Sequence, residues 1–224
     1  MIFMPTKKIV IFDFCGTLIT FQTADRYVMF CVERLHDSKV VRWRHFIIRM
    51  MDKLRVFKIY NLIHPGNNWR KRMVLWQMKG VSYELCDKLA KKYFEEELLP
   101  NVVQPVVKKL KGHLANGDRV FILSGGYDIY IKYFAEYFGV KEILSSKIAF
   151  CKGKCMGKME GKDCMRENKL EYIRPYLNGE RTICYTDSKS DLPLLKMVDE
   201  AIVVSHDASQ QWAETCNYNQ IIWN

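Results

Sequence analysis

The sequence predicts an α/β chain on a parallel, doubly wound sheet, with a block of helices inserted after the first strand. Two observations predict the sheet and a third predicts the insertion. Short apolar runs near residues 8–14, 119–123, 182–186 and 201–204 alternate with segments of helical periodicity, as strands buried on both faces of a parallel sheet do. Three of those runs end on a polar side chain, Asp13, Ser124 and Asp187. Between the first and second runs lies a long helical stretch with no strand in it.

Residues 8–14 form the first strand, and Gly16 permits a sharp turn after it. Residues 22–60 carry helical spacing, with Val28, Cys31, Val32 and Leu35 on one face. Residues 61–68, NLIHPGNN, hold a proline, a glycine and three asparagines and predict a loop. A helix then runs from about Trp69 to Lys79 and stops at Gly80. Ser82 caps another that reaches about Glu97. Residues 102–115 are helical and Asn116-Gly117-Asp118 make a turn. Residues 119–123 form the second strand, followed by Ser-Gly-Gly, and residues 127–138 a helix stopped by Gly139. Alternation and glycines over 146–160 predict a hairpin. Helices at 167–177 and 192–197 flank the third strand, 182–186, and the fourth strand is 201–204. The expected division is a core of residues 1–20 and 98–224 and a helical cap of about 21–97.

In open α/β sheets ligands sit beyond the carboxyl ends of the strands. Asp13, Ser124 and Asp187 are therefore expected to converge on one site. Taken singly, a strand-end Asp is more often a turn or cap residue.

Charge is unevenly spread. Between residues 26 and 79 thirteen Lys and Arg face three acids, an excess equal to the whole net charge of +10. An anion is expected to meet this block. The readings are a phosphorylated small substrate, an anionic membrane surface met by the basic, aromatic helices, or a solvated face with no partner. No nucleic-acid motif accompanies the charge, so that partner is not expected. No apolar run has the length of a membrane span, and the N-terminal run lacks a signal-peptide cleavage site, so the cytoplasm is the expected location. Eight cysteines are scattered. Cys151, Cys155 and Cys164 have neither a C-x-x-C pair nor a nearby histidine, which argues against zinc. Oligomeric state is not readable.

FDFCGTLIT at 12–20 resembles the D-x-D-G-T-L motif of the haloacid dehalogenase superfamily. ILSGGYD at 122–128 resembles its second motif, and YTDSKSDLPLL at 185–195 its fourth. GKMEGKDCMRENK, ending at Lys169, resembles the third motif of the phosphoserine-phosphatase-like branch. Four motifs in order, over roughly residues 7–204, identify the chain as a member with a Rossmann-like core. The resemblance implies an Mg²⁺-dependent phosphatase or phosphotransferase acting on a phosphomonoester. Asp13 would be the nucleophile that becomes an aspartyl-phosphate. Mg²⁺ would be held by Asp13, the backbone carbonyl of Cys15 and Asp187, with Asp191 completing the metal site by holding metal-bound water or pairing with a lysine, or else capping the 192–197 helix. Ser124, with the amides of Gly125 and Gly126, would bind phosphate, helped by a hydrogen bond from Thr17. Lys169 would neutralise phosphate and nucleophile, with Lys162 and Lys158 as rivals for the part. Ser188 is either a site residue or a cap, and Tyr127 and Asp128 begin a helix or reach substrate.

One departure matters. Phosphatases of the superfamily carry a second Asp two residues after the nucleophile, as general acid and base, and here that residue is Cys15. Acid–base help is typically worth about 10²–10⁴ in rate, and a buried thiol beside carboxylates is a poor substitute. Three outcomes follow: a substrate with a good leaving group, transfer to an acceptor other than water, or an inactive relative that binds a phosphorylated ligand. Thr186 in place of the usual glycine before Asp187 is a milder change.

Overall fold

The computed structural model describes residues 7–35, 38–64 and 68–224. A seven-stranded sheet organises them, in the order β4-β3-β2-β1-β5-β6-β7. The strands are β1 (Ile9–Phe12), β2 (Arg119–Tyr127), β3 (Glu142–Cys151), β4 (Lys154–Glu160), β5 (Thr182–Thr186), β6 (Glu200–His206) and β7 (Asn219–Trp223). Every pairing is parallel except that of β3 with β4.

β1 is continuously apolar because neither of its faces meets water. Val10 and Phe12 enter one hydrophobic cluster, with Ile122, Tyr185 and Val204. Ile9 and Ile11 enter the other, with Phe121, Leu123, Cys184 and Val203. On the first face pack α1 (Thr23–Arg34), α5 (Tyr83–Tyr93), α6 (Gln104–Ala115) and α7 (Asp128–Phe138). On the second lie α8 (Asn168–Ile173), α9 (Leu192–Leu195) and α10 (Gln211–Thr215). The first cluster runs on without a break into the helical stretch, through Tyr27, Val28, Cys31, Leu89, Ala90 and Tyr93.

The helical stretch expected over 22–60 is made of three helices among the described residues. They are α1, α2 (Lys39–Lys53) and α3 (Val56–Ile63), and Arg55 turns left-handed between the last two at φ 56°. The predicted loop at 61–68 is corrected in its first part: apolar Leu62 and Ile63 extend α3, while residues 65–67 lie outside the described ones. α4 spans Trp69–Trp76 and turns carry the chain on to Gly80. Ser82 caps α5 as expected, accepting from the Leu85 amide, and a wider π-turn continues the helix over Phe94–Leu98. The hairpin exists, turning at Lys152 and Gly153 with φ 47° and 71°, the left-handed pair that a two-residue turn needs. Its first strand starts earlier than expected, because residues 142–146 also pair in parallel with β2. Strand β7 and helix α10 have no counterpart in the sequence reading.

Candidate functional site

Register sets the site. Phe12 of β1 is level with Ile122 of β2 and Tyr185 of β5. Asp13 is therefore the first residue beyond β1, between β2 and β5, with its amide bonded to the Tyr185 carbonyl at 2.9 Å. Strands run outward from β1 in both directions, so this is the switch point where an α/β sheet opens a crevice. A cavity of about 390 Å³ lies there, lined by Asp13, Cys15, Ser124, Gly125, Lys169, Asp187, Ser188 and Asp191 among others.

Asp13 is buried and its two oxygens differ. Oδ1 accepts from the Phe14 amide at 2.8 Å and from Lys169 Nζ at 2.9 Å. Oδ2 has no hydrogen-bond partner among the described residues. Lys169, on α8 and 4% exposed, also reaches Asp191 Oδ2 at 2.6 Å. Of the three candidate lysines it is the one at the cavity. Lys162 is exposed and pairs with Glu171, and Lys158 is exposed on β4. Asp191 is 1% exposed. Its Oδ2 also accepts from Thr186 Oγ1 at 2.7 Å, while its Oδ1 is buried with no partner.

Three carboxylates thus face one ammonium. Burial pushes Asp13 up to about 7; Lys169 opposes this, and Asp191 and Asp187 add to it. Burial raises Asp187 as well, against the pull of Lys169. Burial alone would lower Lys169, but Asp13 and Asp191 outweigh it and hold the lysine above its ordinary value.

Gly16 sits at φ 75°, and a Cβ there would stand 2.1 Å from Asp187 Oδ2. Glycine is needed both for the turn and for the approach of that carboxylate. Thr17 is fully buried. Its hydroxyl accepts from the Asp187 amide at 2.9 Å and lies 3.3 Å from Asp187 Oδ1. It does not line the cavity, so the expected direct phosphate contact becomes support of Asp187. The expectation for Gly126 changes too, because its amide donates to Ser124 Oγ at 2.9 Å and is already engaged. Ser188 caps the turn before α9, accepting from the Ser190 amide, and also faces the cavity. Tyr127 is buried in the core. Asp128 opens α7 and is not on the cavity wall.

Cys15 stands on the wall, 9% exposed. Its Sγ is 3.0 Å from Thr23 Oγ1 and 3.9 Å from Ser124 Oγ. Thr23 Oγ1 is in turn 2.6 Å from the Tyr130 hydroxyl. Burial, then the neighbouring Asp13, raises the thiol above its ordinary value, so it stays protonated at neutral pH.

Two groups were not singled out in the sequence. Lys71 of α4 is buried and reaches Asp163 Oδ1 and the Gly125 carbonyl, each at 2.5 Å. Asp163 Oδ1 also accepts from Ser146 Oγ at 2.6 Å, and its Oδ2 from Asn68 Nδ2 at 3.2 Å. The segment leading to Lys169 is thereby tied to the helical stretch and to the Ser124-Gly125 strand end. Lys71 was one of thirteen cations in the basic block, and no spacing marked it. Asp163 lay inside the third motif without a role.

A family model for haloacid dehalogenase-like hydrolases matches residues 10–196. The chain belongs to that family. A histidinol-phosphatase of Neisseria meningitidis serogroup C is 26% identical over 127 residues, 53% of this chain. The match spans 57% of that relative, little more than half its length. A phosphoserine phosphatase of Methanocaldococcus jannaschii is 26% identical over 196 residues, covering 85% of this chain and 82% of that one. A crystal structure of a Bordetella pertussis Tohama I protein, described as of unknown function, superposes with a TM-score of 0.79 at 21% identity. It covers 96% of this chain and 98% of that one, and at this identity it speaks for the fold. Within the haloacid dehalogenase-like family, the likeness is to the phosphoserine-phosphatase branch.

Proposed function

We propose that the chain takes the phosphoryl group of a small anionic phosphomonoester onto Asp13. The observation that carries this is the asymmetry of the Asp13 carboxylate. Lys169 and the Phe14 amide fix Oδ1, and Oδ2 is left unbonded beside the cavity. Oδ2 would attack phosphorus as the ester P–O bond breaks, forming an aspartyl-phosphate. Ser124 and the Gly125 amide would hold phosphoryl oxygens, and Lys169 would balance charge on nucleophile and phosphate together. Thr17 would hold Asp187 in place. Water would then attack the aspartyl-phosphate and release phosphate, or another acceptor would take the group.

The donor set fits Mg²⁺. Asp191 Oδ1 is buried without a partner, and crowding by burial raises Asp13 and Asp187, as expected of carboxylates short of a counter-charge. Among the described residues no three His, Cys, Asp or Glu side chains form a ready-made metal cluster. Magnesium keeps several waters and takes one or two carboxylates plus substrate phosphate. Asp13, Asp187 and the Cys15 carbonyl would hold it, with Asp191 alongside. When bound, the ion supplies charge that offsets the repulsion between Asp13 and a dianionic ester.

Residues 21–97 would act as a cap, with Lys71 and Arg70 its charged contribution to the cavity. Phosphate release from a panel of phosphoesters and acyl phosphates tests the proposal, with and without Mg²⁺. Turnover should need Mg²⁺ and vanish in Asp13→Asn. Turnover that survives Asp13→Asn would end it.

Cys15 favours a second reading, in which the site holds a phosphorylated ligand without turning it over. A protonated thiol neither protonates an alkoxide leaving group well nor activates water. Mg²⁺-dependent ligand binding with no phosphate release would support that reading.

A further inference from the structure

The basic block divides once its partners are known. Arg26 and Arg34 pair with Glu97 and Glu96, and Arg70 with Asp25 and Asp52. Lys71 pairs with Asp163, and Arg44 Nη1 donates to the Lys79 carbonyl. Eight cations remain, Arg72 and Lys79 apart from the rest and six on α2, α3 and the turn between them: Lys39, Arg42, Arg49, Lys53, Arg55 and Lys58. All six are exposed, and none forms an ion pair among the described residues. Asp52 is the single acid of this segment, and Arg70 already engages it.

The same segment holds eight of the thirteen exposed large hydrophobic residues found among the described ones. At about 100° per residue, α2 has three faces. Val41 and Ile48 are buried against the protein. Val40, Trp43, Phe46, Met50 and Leu54 share an arc of roughly 120° that faces solvent, with Trp43 at 59% and Phe46 and Leu54 at 62% exposure. Arg42, Arg49 and Lys53 border that arc. On α3, Ile59, Leu62 and Ile63 are exposed in the same way, Leu62 at 83%. An apolar strip this long is unusual on a monomer surface. A tryptophan and a phenylalanine edged by arginine and lysine is the composition of a helix lying in a lipid headgroup layer. No helix among the described residues is long and apolar enough to cross a membrane, so the contact would be peripheral.

We propose that the outer face of α2 and α3 docks on an anionic phospholipid bilayer. Trp43, Phe46 and Leu54 would enter the headgroup region, and Arg42, Arg49 and Lys53 would meet lipid phosphates. Charge complementarity selects this occupant: a second copy would present the same six cations and repel.

The test is co-sedimentation of the full chain with vesicles of phosphatidylcholine, alone or mixed with phosphatidylserine. The chain should pellet with the mixed vesicles only and be released by salt. A triple Arg42→Glu, Arg49→Glu, Lys53→Glu variant should partition on the order of a hundred-fold less or weaker still, at roughly a few-fold to tenfold per surface cation. Trp43→Ser with Phe46→Ser should also abolish pelleting. These side chains face solvent, with Trp43 keeping only an edge contact to the Trp76 ring, so both variants should melt near the parent temperature. Equal pelleting with both vesicle types, none at low salt, or binding indifferent to the charge reversal would overturn the proposal. A parent dimer in light scattering that Trp43→Ser with Phe46→Ser dissolves, with no vesicle binding, would assign the face to a second copy instead.

Discussion

Replacing Cys15 by Asp restores the acid–base group that the family places two residues after the nucleophile. The thiol lies on the cavity wall with the Thr23 hydroxyl at 3.0 Å and that of Ser124 at 3.9 Å, so two donors stand ready for a carboxylate. Proton transfer from such a group is worth about 10²–10⁴ in rate, or about 2.7–5.5 kcal/mol of barrier. The gain should track the leaving group. An alkyl phosphate, whose alkoxide needs a proton, should gain the full factor. An acyl or nitrophenyl phosphate should gain little in the first step, because its leaving group departs as an anion. Burying a further carboxylate next to Asp13 costs stability, about 1–3 kcal/mol if one donor is imperfect, or about 2–4 °C of melting temperature per kcal/mol at this chain length. The assay is single-turnover phosphate release from an alkyl and a nitrophenyl ester, with a thermal melt beside it. A folded Cys15→Asp protein with no gain on either ester, or an equal gain on both in that first step, would refute the assignment of position 15 to proton transfer.

Three further outcomes are expected. Gly16→Ala, which brings a Cβ within 2.1 Å of Asp187 Oδ2 at φ 75°, should raise the Mg²⁺ concentration needed for half-maximal activity at least about tenfold; Gly125→Ala, whose clash is with the flexible Met165 side chain, should do far less. Lys169→Met removes the ammonium that restrains Asp13, so the Asp13 value rises beyond about 7; activity at neutral pH falls, and the acid limb of the kcat/KM profile moves to higher pH. Lys71→Met takes the cation from the partly buried Asp163, which keeps its bonds from Ser146 and Asn68, and should destabilise by about 1–3 kcal/mol, with most of that recovered in Lys71→Met/Asp163→Asn by urea unfolding.

How far the sequence spoke for itself follows from which forces are local. β1 and β5 were legible because a strand buried on both faces is apolar at every position. The convergence of Asp13, Ser124 and Asp187 was legible because strand ends in such a sheet share one edge. The early part of β3 was not, since Glu142, Ser145 and Ser146 look like loop until β2 pairs with them. β7 was not either: Asn219 and Gln220 begin an edge strand whose partner, β6, supplies what its own composition lacks. Lys71 and Asp163 stand 92 residues apart, and nothing in either neighbourhood requires the other. The basic excess was visible, but its meaning was not. Glu96 and Glu97 lie beyond the basic segment and quench Arg34 and Arg26, which leaves most of the unpaired charge on α2 and α3.

The identity of residue 15 bears on more than proton transfer. Asp13, Asp187 and Asp191 already set three carboxylates against Lys169, and burial raises two of them. A fourth carboxylate at position 15 would add repulsion where a dianionic phosphate must sit. A neutral thiol removes that charge while keeping contact with Thr23, which opens α1 and so joins the cavity wall to the helical stretch. Under the proposed function, cysteine at this position would therefore act in two opposite directions: it would slow the proton-coupled steps and ease binding of the anion. A ligand held but not turned over should bind Cys15→Asp more weakly than the parent. A substrate limited by its leaving group should show that loss in KM while kcat rises. Turnover by the parent, with kcat rising further in Cys15→Asp, marks a phosphoryl-transfer enzyme; a parent that binds its ligand with no turnover, even where Cys15→Asp gains some, marks a site that only holds it.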